Sequence, residues 1–331
     1  MVSVLVKGAG VAGLTVAYEL RIRGAEVTIV EPYPDGKAAA SWYAGGMLAP
    51  WCERESAEQT VVELGLRSAD WWEATLPGSV TRKGTLVIAS SRDAKDLDRF
   101  GSRTSGFVHI GDEAISLLEP DLAGAFQKGL FFESEAHLSP RAALFELKTK
   151  LVAFSTRFET SLDNVEASRF DWIVDCTGIA AADTELRGVR GEMLILRTKD
   201  IQLARPVRLL HPRFPLYVVP RPDHMFMVGA TMIESDADGP ITARSIMELL
   251  NAAYGVHPAF GEAEVIETGA GVRPAYPDNL PRVVKSGNII SINGLYRHGF
   301  LLAPTMAKKA ADMIVKERSM HHETHRERRS A

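Results

Sequence analysis

VSVLVKGAGVAGLTVAYELRIRGAEVTIVE, residues 2–31, decides the fold. Residues 2–6 are mostly apolar and β-branched, as in a strand buried inside a parallel sheet. GAGVAG follows at 8–13, and Val11, Leu14, Ala17 and Leu20 then recur at helical spacing. Gly24 stops that helix, and EVTIVE at 26–31 reads as the next strand. The unit is strand–helix–strand, the start of a doubly wound α/β sheet.

The glycine spacing carries chemistry. Gly8 permits a tight turn, Gly10 lets backbone approach a pyrophosphate, and Gly13 lets helix and strand close together. Val11 and Ala12 open the helix, whose free N–H groups and positive end face phosphate. Glu31 closes the second strand, where a carboxylate binds ribose hydroxyls and disfavours a 2′-phosphate. NADP is therefore disfavoured, while NAD and FAD stay open. Lys7, just before Gly8, stands where a buried strand calls for an apolar residue; snorkelling and a phosphate contact are both open readings.

Composition bounds the rest. The 331 residues hold 38 Lys plus Arg against 42 Asp plus Glu, a formal charge of −4. With 46% hydrophobic and 24% charged residues the chain is an ordinary globular one, which excludes a disordered, collagenous or coiled-coil protein. The acidic balance, with no basic stripe, speaks against nucleic acid. Cys52 and Cys176 cannot build a disulfide framework or a four-thiolate centre, and no metal site is expected. No apolar run reaches the ~18–20 residues of a membrane helix, and a strand beginning at Val2 leaves no room for a secretory leader. A cytoplasmic protein without a membrane partner is expected.

Further along, 55–76 reads as a helix with Trp71, Trp72 and Leu76 toward a core, broken by Pro77-Gly78. Residues 84–90 read as a strand, 112–122 as a short helix, and Ser139-Pro140 as the start of a helix reaching Phe154. FDWIVDCTG, 170–178, is a strand ending in a glycine turn. Four strand-like runs at short spacing fill 190–232, which predicts an antiparallel sheet, with one helix at 242–254 after it. A strand at 288–294 and a helix at 303–316 return to α/β texture. The charged tail, 318–331, is expected to be disordered; its His321, His322 and His325 read as a solvated tail rather than a metal site.

Two segments favour a flavin. AAASWYAGGMLAP, 38–50, is rich in small residues that let backbone pass close to a cofactor, with Ser41, Gly45, Gly46 and Met47 the candidates for contact. In NGLYRHGFLLAPTMAKKAADMI, 293–314, a helix following Gly299, Phe300 and Leu301 aims its positive end above the sheet. That is where negative charge develops at the N(1)–C(2) edge of a reduced flavin.

The pattern resembles the D-amino-acid-oxidase-like FAD oxidoreductases, and within them the glycine oxidases of thiazole biosynthesis. The resemblance is carried in order by GAGVAG (8–13), Glu31, AGGMLAP (44–50), VDCTG (174–178), VRGEML (189–194), YVVPR (217–221), VGATM (228–232), GVRP with Asp278 (271–278) and YRHGFLLAP (296–304). It implies an α/β fold with an α+β second domain: a Rossmann-like FAD-binding domain and an antiparallel-sheet substrate domain of D-amino-acid oxidase/glycine oxidase type. The expected division gives 1–78, 131–184 and 262–331 to the FAD domain, and 79–130 with 185–261 to the substrate domain.

The resemblance also implies roles. Arg273 would clamp the substrate carboxylate bidentately, with Tyr217 hydrogen-bonding the same group. Met232 would line the pocket, and Arg297 would stand near substrate or flavin. His298 departs from the asparagine usual there; titration near neutral pH and a purely structural role are both open. Thr177 and Gly178, with Arg273, Arg297 and His298, complete the cofactor contacts. FAD would be non-covalent, since no cysteine follows Cys176. The stretch 155–170 is short for the family, which leaves the adenine contact unassigned.

The implied activity is oxidation of glycine, sarcosine or D-alanine to the imine, with oxygen reduced to hydrogen peroxide and the imine supplied for the thiazole of thiamine. Family relatives are often oligomers. Three competing readings stand beside it. A D-amino-acid dehydrogenase feeding a quinone would want an amphipathic anchor, and none is evident. An NAD-dependent dehydrogenase would leave GVRP and YRHG without a task. A non-catalytic or RNA-associated flavoprotein is disfavoured by the net charge.

Overall fold

The computed structural model describes residues 1–211 and 216–330, with side chains through residue 317. A six-stranded sheet is built around the opening unit. Its order is Arg282–Ser286, Ile289–Asn293, Trp172–Asp175, Ser3–Lys7, Glu26–Val30, Arg157–Glu159. All neighbours are parallel except the first pair. Ser3–Lys7 is therefore a central strand, which is why Val4, Leu5 and Val6 are fully buried.

The helix Val11–Ile22 packs against the last helix, Gly299–Ser330. Alanines 303, 307, 310 and 311 of the last helix are buried and let the two helices approach closely. The expectation of a disordered tail over 318–331 falls on residues whose side chains lie outside the description.

The second sheet has nine strands. Ile233–Glu234, Arg187–Arg197, Met225–Gly229, Leu216–Arg221, Val207–Leu210, Thr85–Ala89, Lys128–Phe132 and Val108–Gly111 are neighbours in that order, with Glu264–Ala275 also along Arg187–Arg197. It is antiparallel as expected except where Thr85–Ala89 runs parallel to Val207–Leu210. The strand Glu264–Ala275, expected with the cofactor-binding segments, belongs to this sheet through its pairing with Arg187–Arg197. That pairing brings Arg273 to the second sheet.

Two helices differ from expectation, for one shared reason. The single helix expected over 55–76 is two short ones, Gln59–Gly65 and Ser68–Thr75, and a separate short helix, Pro50–Arg54, precedes them. A Cβ on Gly65 would lie 2.7 Å from Leu301, so the chain turns at its contact with the last helix. That last helix starts at Gly299, not 303, with Pro304 inside it. Proline cannot donate to the carbonyl four residues back, Phe300 O. Trp72 Nε1 (2.8 Å) and Ser68 Oγ (3.0 Å) donate to that carbonyl instead. Trp72 and Leu76 are buried as expected. No helix among the described residues is long and apolar enough to cross a membrane.

Candidate active site

One cavity of about 400 Å³ runs from the glycine turn to the second sheet. Every expected cofactor and substrate residue lines it except Gly13 and Met232. Gly13 works from behind: a Cβ there would lie 1.9 Å from Gly8 O. Gly8 itself has φ +92°, and a Cβ on it would lie 2.6 Å from Cys176 O. Gly10 caps the first helix with extended backbone, and Ser41 Oγ accepts from Val11 N at 3.2 Å. Glu31 is held by backbone, its two oxygens accepting from Ala9 N (2.8 Å) and Tyr33 N (3.0 Å). Lys7 lines this end of the cavity with no ion-pair partner among the described residues, and Leu162 lines it from the short 155–170 stretch.

At the other end the last helix points its N-terminus into the cavity through Gly299, Phe300 and Leu301. The loop 44–47 is fixed between two close approaches. A Cβ on Gly45 would lie 2.8 Å from the Tyr217 ring, and one on Gly46 would lie 2.3 Å from Leu138 O. Arg221 donates to Gly45 O at 2.6 Å and so braces the same loop. Burial without an acidic partner pushes this guanidinium down to about 10.

Arg273 reaches in from the second sheet. Its Nη1 donates to Thr231 O at 3.1 Å, and its guanidinium lies over Gly191, where a Cβ would meet Nη2 at 1.9 Å. No carboxylate lies within ion-pair distance of it among the described residues. Burial lowers its affinity for the proton, without threatening the charge. Tyr217, beside it, is pushed up by burial and stays a neutral hydroxyl.

Arg297 is differently placed. Its Nε lies 2.8 Å from Glu53 Oε2, its Nη2 donates to Ser56 Oγ, and its Nη1 faces Met232 Sδ at 3.4 Å. Met232 is 44% exposed, so it stands at the mouth beside Arg297 rather than in the cavity wall, correcting the expectation. Glu53 is the residue that sequence reasoning missed. It lines the cavity, is buried, and also lies 3.6 Å from Arg208 Nη1 and 3.3 Å from His298 Nδ1. Its short helix is anchored from below, where Cys52 N donates to the buried Glu135 at 2.7 Å. Burial would raise the Glu53 carboxyl, but Arg297, His298 and Arg208 together hold it down at about 2.

His298 does not titrate near neutrality. Burial pushes it down to about 4 against the pull of Glu53, and Arg297, Arg208 and Arg273 push in the same direction as burial. His137, buried beside Arg221, is likewise pushed down to about 4, by burial first. Both are neutral at pH 7. Against an ordinary value of 6.5, the unfolded chain takes the proton first, so stability falls as pH drops from 6.5 to 4. Each histidine contributes up to roughly 3 kcal/mol of that loss. Glu53 adds a further loss as pH falls from 4.5 to 2. Glu135, pushed up to about 7 by burial, acts oppositely and favours folding at the acid end of its range, between 4.5 and 7. Urea denaturation at pH 7, 6, 5 and 4 should show stability falling, and His137→Gln should flatten the fall. An equally steep fall in the variant would overturn the assignment to His137.

The cavity fits an extended dinucleotide: a glycine turn and a carboxylate at one end, a helix N-terminus and small-residue loop at the other. The chain belongs to the DAO family, described as FAD dependent oxidoreductase, which matches residues 3–313. It is thus an FAD-dependent oxidoreductase. A Rhizobium etli protein that carries the name thiamine biosynthesis oxidoreductase ThiO is 60% identical over 316 residues, covering 95% of this chain and 97% of that one. A glycine oxidase of Pseudomonas aeruginosa is 25% identical over 355 residues, with 94% of each chain covered. The crystal structure of glycine oxidase from Geobacillus kaustophilus superimposes with a TM-score of 0.81 at 22% identity, covering 96% of this chain and 95% of that one. That superposition supports the D-amino-acid-oxidase type of fold.

Proposed function

We propose that the chain oxidises glycine, or a small amino acid such as sarcosine or D-alanine, to its imine, and that oxygen is the electron acceptor, yielding hydrogen peroxide. The observation that carries this is Arg273, a guanidinium without a carboxylate partner, set beside Tyr217 at the helix end of the cavity. Arg273 and Tyr217 bind and orient the substrate carboxylate. Neutral His298 and the Glu53–Arg297 pair add no net charge beside it. Bound non-covalently along the cavity, FAD supplies the acceptor for the two electrons and hydrogen leaving the α-carbon. Positioning is the protein's main contribution, and the amine reacts in its neutral form. The imine is either hydrolysed or passed on for the thiazole of thiamine, a reading supported by the name of the Rhizobium etli relative.

An anaerobic titration of the purified protein with glycine, sarcosine and D-alanine tests the proposal. The flavin band should bleach with glycine and return when air is admitted. A band that none of the three bleaches overturns the substrate reading. A bleached band restored by a quinone but not by air makes the protein a dehydrogenase.

A further inference from the structure

Among the residues lining the substrate end of the cavity, two guanidiniums, Arg273 and Arg297, face one carboxylate, Glu53. They are not equivalent. Arg297 Nε lies 2.8 Å from Glu53 Oε2, whereas the hydrogen-bond partner of the Arg273 guanidinium among the described residues is the Thr231 carbonyl, at 3.1 Å. Glu53 is 8% exposed, and its other oxygen lies 3.6 Å from a third buried guanidinium, Arg208. Among the described residues the outer side of Arg297 meets neutral groups, the Ser56 hydroxyl and the Met232 sulfur, and the latter is at the mouth.

We infer that Glu53 sets the number of carboxylates the pocket accepts at one, by neutralising Arg297 and leaving Arg273 as the guanidinium free to clamp. The inference rests on the amine-oxidase reading above and adds a determinant of substrate class. A second carboxylate on the substrate would approach Arg297 from the side of Ser56 and Met232. There it would meet a cation already paired, with the Glu53 charge immediately behind it. Glu53 itself is buried, so its charge reaches the newcomer partly through protein, where it is screened less than in water. Without Glu53, two buried guanidiniums lose their counter-charge, and a dicarboxylate becomes the ligand that restores it. Glu53 selects against the second anion by repulsion rather than by any contact with the correct substrate.

Iminodiacetate probes this directly, because it is glycine with a second carboxylate on the nitrogen. Anaerobic flavin reduction should be at least about 100-fold more efficient with glycine in the wild-type protein, the scale set by an uncompensated charge in a buried pocket. Glu53→Gln should raise the efficiency with iminodiacetate at least about 10-fold while lowering that with glycine, and Glu53→Asp should keep the wild-type preference. A merely structural role would lower both substrates in parallel, and that result overturns the inference. So does a wild-type protein that takes iminodiacetate as readily as glycine. Reduction by neither amine overturns the amine-oxidase reading itself, and this inference with it. The wild-type protein offers a measurement that needs no variant: acetate should perturb the flavin spectrum at concentrations at least about 10-fold lower than malonate. Equal or tighter binding of malonate overturns the inference.

Discussion

Arg273→Ala is expected to raise the KM for glycine at least about 100-fold while FAD stays bound, and the effect follows from how the guanidinium is held. Arg273 sits in the cavity wall with a carbonyl partner and no carboxylate, so its charge is left for the substrate. Losing one member of a partly desolvated, bidentate ion pair costs roughly 3–5 kcal/mol, which is a factor of about 10² to several thousand. Gly191→Ala should reach the same end with the arginine still present. A Cβ there would lie 1.9 Å from Nη2 and 2.0 Å from Cζ of Arg273, so the guanidinium must leave its place over the strand. Steady-state kinetics with glycine, alongside the FAD-to-protein ratio, separates the cases. An unchanged KM in both variants sinks the clamp. A raised KM in Arg273→Ala alone would mean that the side chain relocates around the methyl and still binds.

The two glycine variants mark what could and could not be read from the chain. GAGVAG and Glu31 are legible because their geometry is local: turn, helix start and strand end lie within one strand–helix–strand unit, and backbone dictates the residue types. Gly191 appears in the sequence only as part of VRGEML, and its task depends on Arg273 crossing over it from a paired strand. Glu53 is harder still. In WCERES a glutamate between cysteine and arginine reads as solvated, and only the fold shows Arg208 and Arg297 converging on it. The start of the last helix misleads for a related reason. Pro304 marks the first turn of a helix in most settings. Here Trp72 and Ser68, more than 200 residues away, satisfy the carbonyl that the proline leaves free, and the helix begins earlier. His298 shows the limit of reading chemistry from residue type. Imidazole titrates near neutrality in water, but burial among arginines holds this one uncharged.

Gly13→Ala is expected to strip the protein of FAD while leaving most of the fold in place. A Cβ at this position would lie 1.9 Å from Gly8 O and 3.6 Å from Cys176 Cβ, so the helix must withdraw from the turn by more than an ångström. Gly8 cannot yield in its turn, since it has φ +92° and rests against Cys176 O. The movement therefore falls on the helix start, where Val11 N is tied to Ser41 Oγ and Gly10 faces the cavity. Amides that should meet the pyrophosphate end up out of hydrogen-bond reach. Losing two or three charge-assisted hydrogen bonds of roughly 1.5–3 kcal/mol each weakens FAD by about 10²-fold or more. Gly24→Ala is the control. That position has φ +79° but open space around its would-be Cβ, so the change costs only about 1 kcal/mol of backbone strain and spares the cofactor. Apoprotein reconstitution, followed by flavin fluorescence, gives the dissociation constants, and circular dichroism checks the fold. FAD bound to Gly13→Ala as tightly as to the wild type would mean that the pyrophosphate is held elsewhere, and Lys7, the cation lining that end of the cavity, would become the residue to change next.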